Sequence, residues 1–411
     1  MADREVDFLL IGGGVAAASC ARTLREEGAE GSVLVVAREP DPPYNRPPLS
    51  KEYLAGELPR EEAFELPPDW YAENGVELMT RTSVMKLDSE ERVAKLSTRE
   101  EVSFGKALVA TGANVRRLRV DGGDLEGIHY LRSFGNSDAI RAEASEAERV
   151  VLVGGSYIGC EVAATLTALG RRCAILMQED VTLERQFGPR VGRFFQGVLE
   201  EHGIEVHGGD ELERYEGSNG RVERVVTKGG LSIDCGLVVV GAGVAPDLML
   251  ARGAGLEIGD GGGVRCSARL ETSVSGVYAA GDVAEYDSPL HGGPARIEHW
   301  DVAKEQGRTA GLNMAGGEAP HETVPYFWSD FSDWTSLSYV GVGSAAGAPA
   351  IRGSLDDGQF SAWGLAEDGR VVSCLAVGRD DDIDEAKRLI KERAKPDPAA
   401  LADDGTDLAA L

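Results

Sequence analysis

At 411 residues, 42% of them hydrophobic and 27% charged, the chain is too long for one ordinary core and reads as a globular protein of two or three domains. Acids outnumber bases 69 to 42, and the net charge of −27 is spread over the whole sequence. That disfavours nucleic acid and anionic lipid as partners, and no apolar run approaches the roughly 20 residues of a membrane span.

The N-terminal stretch MADREVDFLL lacks the basic region and cleavable apolar segment of a signal peptide, so the cytoplasm is the expected compartment. From Asp7, DFLLIGGGVAAASCARTLREEGAEGSVLVVARE predicts a strand, a glycine turn, a helix and a second strand. Such a turn needs one glycine for tightness, a second for the approach of a pyrophosphate and a third small residue for helix packing. Gly12, Gly14 and Ala17 fill those places, and Glu39 falls where an acid meets ribose hydroxyls. Next comes YNRPPLSK, Tyr44 to Lys51, a basic loop whose prolines fix φ and stiffen it. KALVATGA then predicts a strand ending in Ala110, Thr111 and Gly112, small enough for backbone to pass close to a cofactor.

About 140 residues after the first copy, RVVLVGGSYIGCEVAATLTALGRRCAILMQED repeats the strand, turn, helix and strand. Its turn holds Gly154, Ser156, Tyr157, Ile158 and Gly159, with Ser156 where a second glycine is expected. The following strand ends at Met177, where NAD sites usually carry an acid. Glu179 is the candidate for the ribose, and Arg185 is the nearby cation. With no basic cluster directly after the strand, the pattern favours NADH, with NADPH possible. LVVVGAGVAP places Gly241 after another buried strand, and SGVYAAGDVAEY puts Asp282 between a strand and an expected helix, with its carboxylate suited to ribitol hydroxyls.

From His321 on, TSLSYVGVG, QFSAWGL and RVVSCLAVG predict a small antiparallel sheet. DIDEAKRLIKERA predicts a helix, followed by an acidic tail expected to be mobile. The fold class is therefore α/β, with two Rossmann-like nucleotide-binding domains and a small C-terminal α+β domain. The expected boundaries are 1–115 and 246–320 for a discontinuous domain built on the first copy, 116–245 for the domain of the second copy and 321–411 for the last. The cysteines (Cys20, Cys160, Cys173, Cys235, Cys266, Cys374) are scattered with no CxxC or CxxxxC, which argues against a disulfide framework, a metal site or a redox-active pair.

PYNRPPLSK, ATGA, VGGSYIGCEVAA, YAAGDVA, RIEHWDVAKEQGRTAGLNM and VPYFWSD together resemble the flavin-dependent pyridine-nucleotide reductases. Within them the chain is most similar to the branch of oxygenase-coupled ferredoxin reductases (the putidaredoxin reductase type) and apoptosis-inducing factor. The resemblance implies FAD and NADH as cofactors, with hydride passing from nicotinamide to flavin N5. It places Arg46 at the FAD diphosphate and Lys51 beside the isoalloxazine, paired with Glu161 of the second Rossmann helix. It also places His299, Trp300, Phe327, Trp328 and Asp330 along the flavin face and the route outward. The disulfide-reducing relatives carry a cysteine pair where this chain has PPYNRPPLSK, so electrons are expected to leave the flavin directly. The implied partner is a one-electron acceptor, an iron–sulfur ferredoxin, for a monomer or homodimer. The other readings are an oxidoreductase like apoptosis-inducing factor, one with a small acceptor like monodehydroascorbate reductase, or a redox-sensing binding protein.

Overall fold

The computed structural model describes residues 2–343 and 345–411. The chain divides into two compact units, one of Met1–Asn45, Glu61–Asn114 and Ala245–Phe327, the other of Arg46–Arg60, Val115–Val244 and Trp328–Leu411.

The first unit opens with β1 (Arg4–Ile11), α1 (Val15–Glu26) and β2 (Val33–Val36), then β3 (Val76–Met79), β4 (Val84–Asp88), β5 (Val93–Leu96) and β6 (Glu101–Val109). They form a sheet in the order β3-β2-β1-β6-β5-β4. β1 runs parallel to both β2 and β6, with Leu9 opposite Leu34 and Ala107. Leu9, Leu10, Leu34, Val35 and Leu108 are fully buried, as the unbroken apolar runs of a strand covered on both faces require.

The second unit repeats the plan with β7 (Ile128–Tyr130), α2 (Phe134–Glu146), β8 (Arg149–Val153), α3 (Tyr157–Ala168), β9 (Arg172–Leu176), α4 (Glu184–Glu201), β10 (Glu205–His207) and β11 (Leu237–Val240). Its sheet order is β10-β9-β8-β11-β7, all parallel. In each unit the glycine turn follows a central strand with neighbours on both sides, which is where an open α/β sheet binds ligands.

The first unit resumes with β12 (Val277–Ala279), which joins β6, then β13 (Ala284–Ser288) and α5 (Trp300–Met314). α5 lies close against α1 because both present small residues. A Cβ on Gly307 would collide with the Ala16 carbonyl oxygen, and one on Gly311 would stand 2.8 Å from Thr23 Cβ. The Cys20 and Met314 sulfurs meet at 3.7 Å along the same seam.

The chain ends with β14 (Tyr326–Phe331), β15 (Thr335–Gly341), β16 (Ala350–Ser354), β17 (Gln359–Leu365) and β18 (Val371–Val377), a sheet in the order β14-β15-β18-β17-β16, followed by α6 (Asp380–Lys391) and α7 (Pro398–Ala402). The acidic tail is ordered, contrary to the sequence expectation. Buried Arg352 donates to the carbonyls of Asp403, Asp404 and Thr406, Arg388 donates to that of Leu408, and Leu401 and Leu408 are buried. Guanidinium groups from distant elements satisfy the tail's carbonyls, a long-range effect that local composition does not carry. No helix among the described residues is long and apolar enough to cross a membrane.

Candidate active site

In the first unit Gly12 follows β1 at φ +143°, and a Cβ there would run into the carbonyl oxygen of Ala110, just past β6. That close approach admits glycine alone. Gly14 differs, since a Cβ on it would meet nothing within 4 Å. Gly14 caps α1 without a side-chain hydrogen bond, so the first-turn N–H groups face open space, as an anion site requires. Ala17 is fully buried one turn on. Glu39 accepts a hydrogen bond from the Tyr44 hydroxyl at 2.5 Å. Thr111 Oγ1 donates to the Asp247 carbonyl, whose own N–H donates to the carbonyl of Gly112, both at 2.9 Å.

Asp282 lies in the turn after β12, but β13 follows it rather than the expected helix. The run Ala284–Ser288 buries Ala284 and Tyr286 and pairs in parallel with Val264–Cys266, a tertiary pairing that outweighs the glycine–aspartate signal. The neighbouring Gly281 N–H bonds Gln306 Oε1 at 2.8 Å, and a Cβ on Gly281 would stand 3.6 Å from both Ala16 and Ala303. Asp282 is thereby beside the first turns of α1 and α5.

His299 is the N-cap of α5, its ring packed on Phe327 with centroids 4.6 Å apart. Burial pushes its imidazole down to about 4, against the opposing charge of Asp282, so it is neutral near pH 7. Its Nδ1 is buried with no partner among the described residues. Trp300 Nε1 donates to Asn45 Oδ1 at 2.9 Å, and the Lys304 ammonium lies 4.8 Å over the indole. An orphaned imidazole nitrogen, an uncapped helix start and a glycine-only turn beside Glu39 and Asp282 fit a bound dinucleotide such as FAD.

In the second unit Gly154 (φ +116°) packs on the Gly241 carbonyl, and a Cβ on Gly159 would collide with the carbonyl oxygen of Gly154. Ser156 caps α3 with no side-chain hydrogen bond, while Ile158 is exposed. Burial raises the Tyr157 phenol, whose ring lies 6.0 Å from Phe187. Met177 is buried beneath Gly155, whose Cβ would strike its Sδ; this explains an apolar residue where the pattern expects an acid. Glu179 makes an ion pair with Arg185 at the start of α4.

The Arg46–Arg60 segment is anchored in the second unit. Ser137 Oγ donates to the Leu49 carbonyl and Tyr53 Oη to Asp138, both at 2.8 Å, while Arg46 donates to the Arg132 carbonyl. Two prolines start a short 3₁₀ turn, Pro47–Ser50, which delivers Lys51. Lys51 Nζ stands 3.0 Å from Glu161 Oε1, with the two side chains only 9% and 6% exposed. Ser50 Oγ donates to Glu161 Oε2, and Ser329 Oγ donates to Oε1 at 2.6 Å. These two serines lie inside PYNRPPLSK and VPYFWSD but were not singled out in the sequence; the available signal is that each adjoins a named residue. Trp328 and Asp330 follow on β14, half-buried. Burial raises the Asp330 carboxyl, opposed by Lys51 and reinforced by Glu161 and Glu52.

The cysteines are all free and buried. Cys160, next to Glu161, has its thiol pushed up by burial, as do Cys173 (to about 11) and Cys266 (to about 12). Such thiols are poor nucleophiles.

Residues 6–307 match the family model for pyridine nucleotide-disulphide oxidoreductases, and residues 326–411 match the reductase C-terminal model. The chain is 34% identical over 410 residues to the 5,5'-dehydrodivanillate O-demethylase ferredoxin reductase subunit of Sphingobium sp., covering 98% of each. It is 32% identical over 399 residues to the anthranilate 1,2-dioxygenase system ferredoxin–NAD(+) reductase component of Burkholderia cepacia, covering 96% of this chain and 97% of that one. A solved structure of the covalent putidaredoxin reductase–putidaredoxin complex matches with TM-score 0.93 and 30% identity, over 100% of this chain and 98% of its own.

Proposed function

The chain belongs to the pyridine nucleotide-disulphide oxidoreductase family, and on that premise we propose that it is a FAD-dependent NADH oxidoreductase delivering electrons to a ferredoxin. The observation that carries the reading is the buried Lys51–Glu161 pair standing where disulfide-reducing members place a dithiol. Bound FAD supplies two-electron uptake from NADH and release of electrons one at a time.

The chain's own residues do the rest. Gly12, Gly14, Ala17 and the start of α1 would accept the FAD diphosphate, Glu39 and Asp282 would take ribose and ribitol hydroxyls, and Ala110, Thr111 and Gly112 would let the backbone come close. His299 and Trp300 would exclude water from the flavin. Gly154, Ser156, Tyr157, Ile158, Gly159 and Gly241 cradle the nicotinamide dinucleotide. Glu179 spends the charge of Arg185, which leaves less for a 2′-phosphate and favours NADH over NADPH. Lys51, desolvated and fixed, would place its ammonium where negative charge develops, and Glu161 keeps it aimed. Buried, unpaired thiols suit a reducing compartment, which supports the cytoplasm.

The test is anaerobic turnover with NADH and either a [2Fe–2S] ferredoxin or a small disulfide such as oxidised glutathione. Ferredoxin reduction without disulfide reduction is expected. Turnover of the disulfide at a comparable rate would overturn the reading.

A further inference from the structure

We propose that Ser50 and Ser329 are positioning residues whose hydroxyls clasp both oxygens of Glu161, so that Lys51 stays aimed along Glu161 and does not turn to Asp330. The inference rests on the functional reading above.

The geometry is specific. Glu161 sits on α3, and its carboxylate is reached from two other segments. The Pro47–Ser50 turn brings Ser50 Oγ to Oε2, and β14 brings Ser329 Oγ to Oε1 at 2.6 Å, the oxygen that Lys51 Nζ reaches at 3.0 Å. Ser50 has a second acceptor, the Pro47 carbonyl, but that contact is the longer at 3.3 Å. The turn is itself held against α3, where Thr165 Oγ1 donates to the Ser50 carbonyl at 2.8 Å. Ser50, Ser329, Lys51 and Glu161 are all buried, so every hydrogen bond removed leaves an unsolvated group.

The groups that bear on Glu161 are few. Among the described residues, Lys51 comes from the turn, Asp330 from β14, and Tyr157 and Cys160 from α3 itself, while Glu52 faces Asp330. Lys51 is the one cation among them, and a second acid, Asp330, competes for it. The pair therefore stays in one arrangement only if something favours Glu161 over Asp330. A carboxylate bonded on both oxygens is favoured in this way, since its hydroxyl donors fix its orientation toward Lys51. The serines are not catalytic residues; they act through Glu161 on Lys51.

Ser329→Val and Ser329→Thr separate the hydroxyl from the packing, because Val and Thr have the same shape and only Thr keeps the O–H. Ser50→Ala removes the other half of the clasp and serves should the Ser329 variants fold poorly. Two readouts on the FAD-loaded protein decide: the visible spectrum of the oxidised flavin from about pH 5.5 to about pH 9, and the rate of its reduction by NADH over the same interval. The wild type and Ser329→Thr should keep a flat acid side in both. Ser329→Val and Ser50→Ala should gain an acid limb in the spectrum and lose about tenfold in reduction rate below neutrality, with NAD+ affinity unchanged. A Ser329→Val protein indistinguishable from Ser329→Thr, together with a wild-type-like Ser50→Ala, would overturn the clasp alone. A wild type that takes up no FAD would overturn the functional reading and the clasp with it.

Discussion

At the scale of single residues, the sharpest contrast is between two glycines of one turn. A Cβ on Gly12 has the Ala110 carbonyl in its way, whereas one on Gly14 meets nothing in the protein. Gly14 also has an ordinary φ of −102°, which alanine adopts freely. Gly14→Ala should therefore fold with unchanged urea stability yet retain little FAD after purification, because the methyl fills space meant for the ligand. Full flavin content in that variant would contradict the cradle. Lys51→Ala should slow reduction by NADH at least about tenfold while leaving flavin content unchanged. It should also cost on the order of 3 kcal/mol in unfolding, since Glu161 would be left buried and unpaired; reduction at the wild-type rate would remove Lys51 from the mechanism. Gly12, Gly154 and Gly159 were legible because a turn against a backbone carbonyl admits nothing larger. Ser50 and Ser329 were not, because their shared partner is 111 and 168 residues away.

At the scale of elements, both ends of α5 are marked by an imidazole, half-buried at His299 and buried at His321. His299 begins the helix, and His321 follows it, with Nδ1 3.2 Å from Thr309 Oγ1 and the Tyr286 ring at 5.1 Å. Burial lowers each from 6.5 to about 4. The unfolded chain thus binds these protons near pH 6.5 and the folded chain only near pH 4, so their contribution is full above 6.5 and lost as pH falls. Between about pH 7 and about pH 5 each should remove about 2 kcal/mol of FAD-free stability, read by urea unfolding. His321→Gln should lose less over that interval than the wild type, and equal losses would contradict the assignment. Elements with an unbroken apolar run, such as β1, β8 and β11, could be read directly from sequence. β13 could not, since the AEYDS stretch after Asp282 becomes a strand only because Val264–Cys266 is there to pair with it. The ordered tail escaped for the same reason, its carbonyls being held by Arg352 and Arg388 from β16 and α6.

At the scale of the molecule, the repeated strand–turn–helix unit gave away the architecture, because two copies of a glycine turn on parallel strands leave little alternative to a dinucleotide-binding α/β protein. Three strands of the C-terminal sheet, β15, β17 and β18, were legible in the sequence, whereas β14 and β16 were not. The net charge of −27 is a property of the whole surface and names no acceptor, so the acceptor's class comes from the family and from the missing dithiol. The most direct test of the account is anaerobic rapid mixing of the purified protein with NADH, and separately NADPH, while following visible flavin absorbance. The account predicts rapid bleaching with NADH and slower bleaching with NADPH. A flavin that NADH leaves oxidised, or a colourless protein that cannot be reconstituted with FAD, would contradict it.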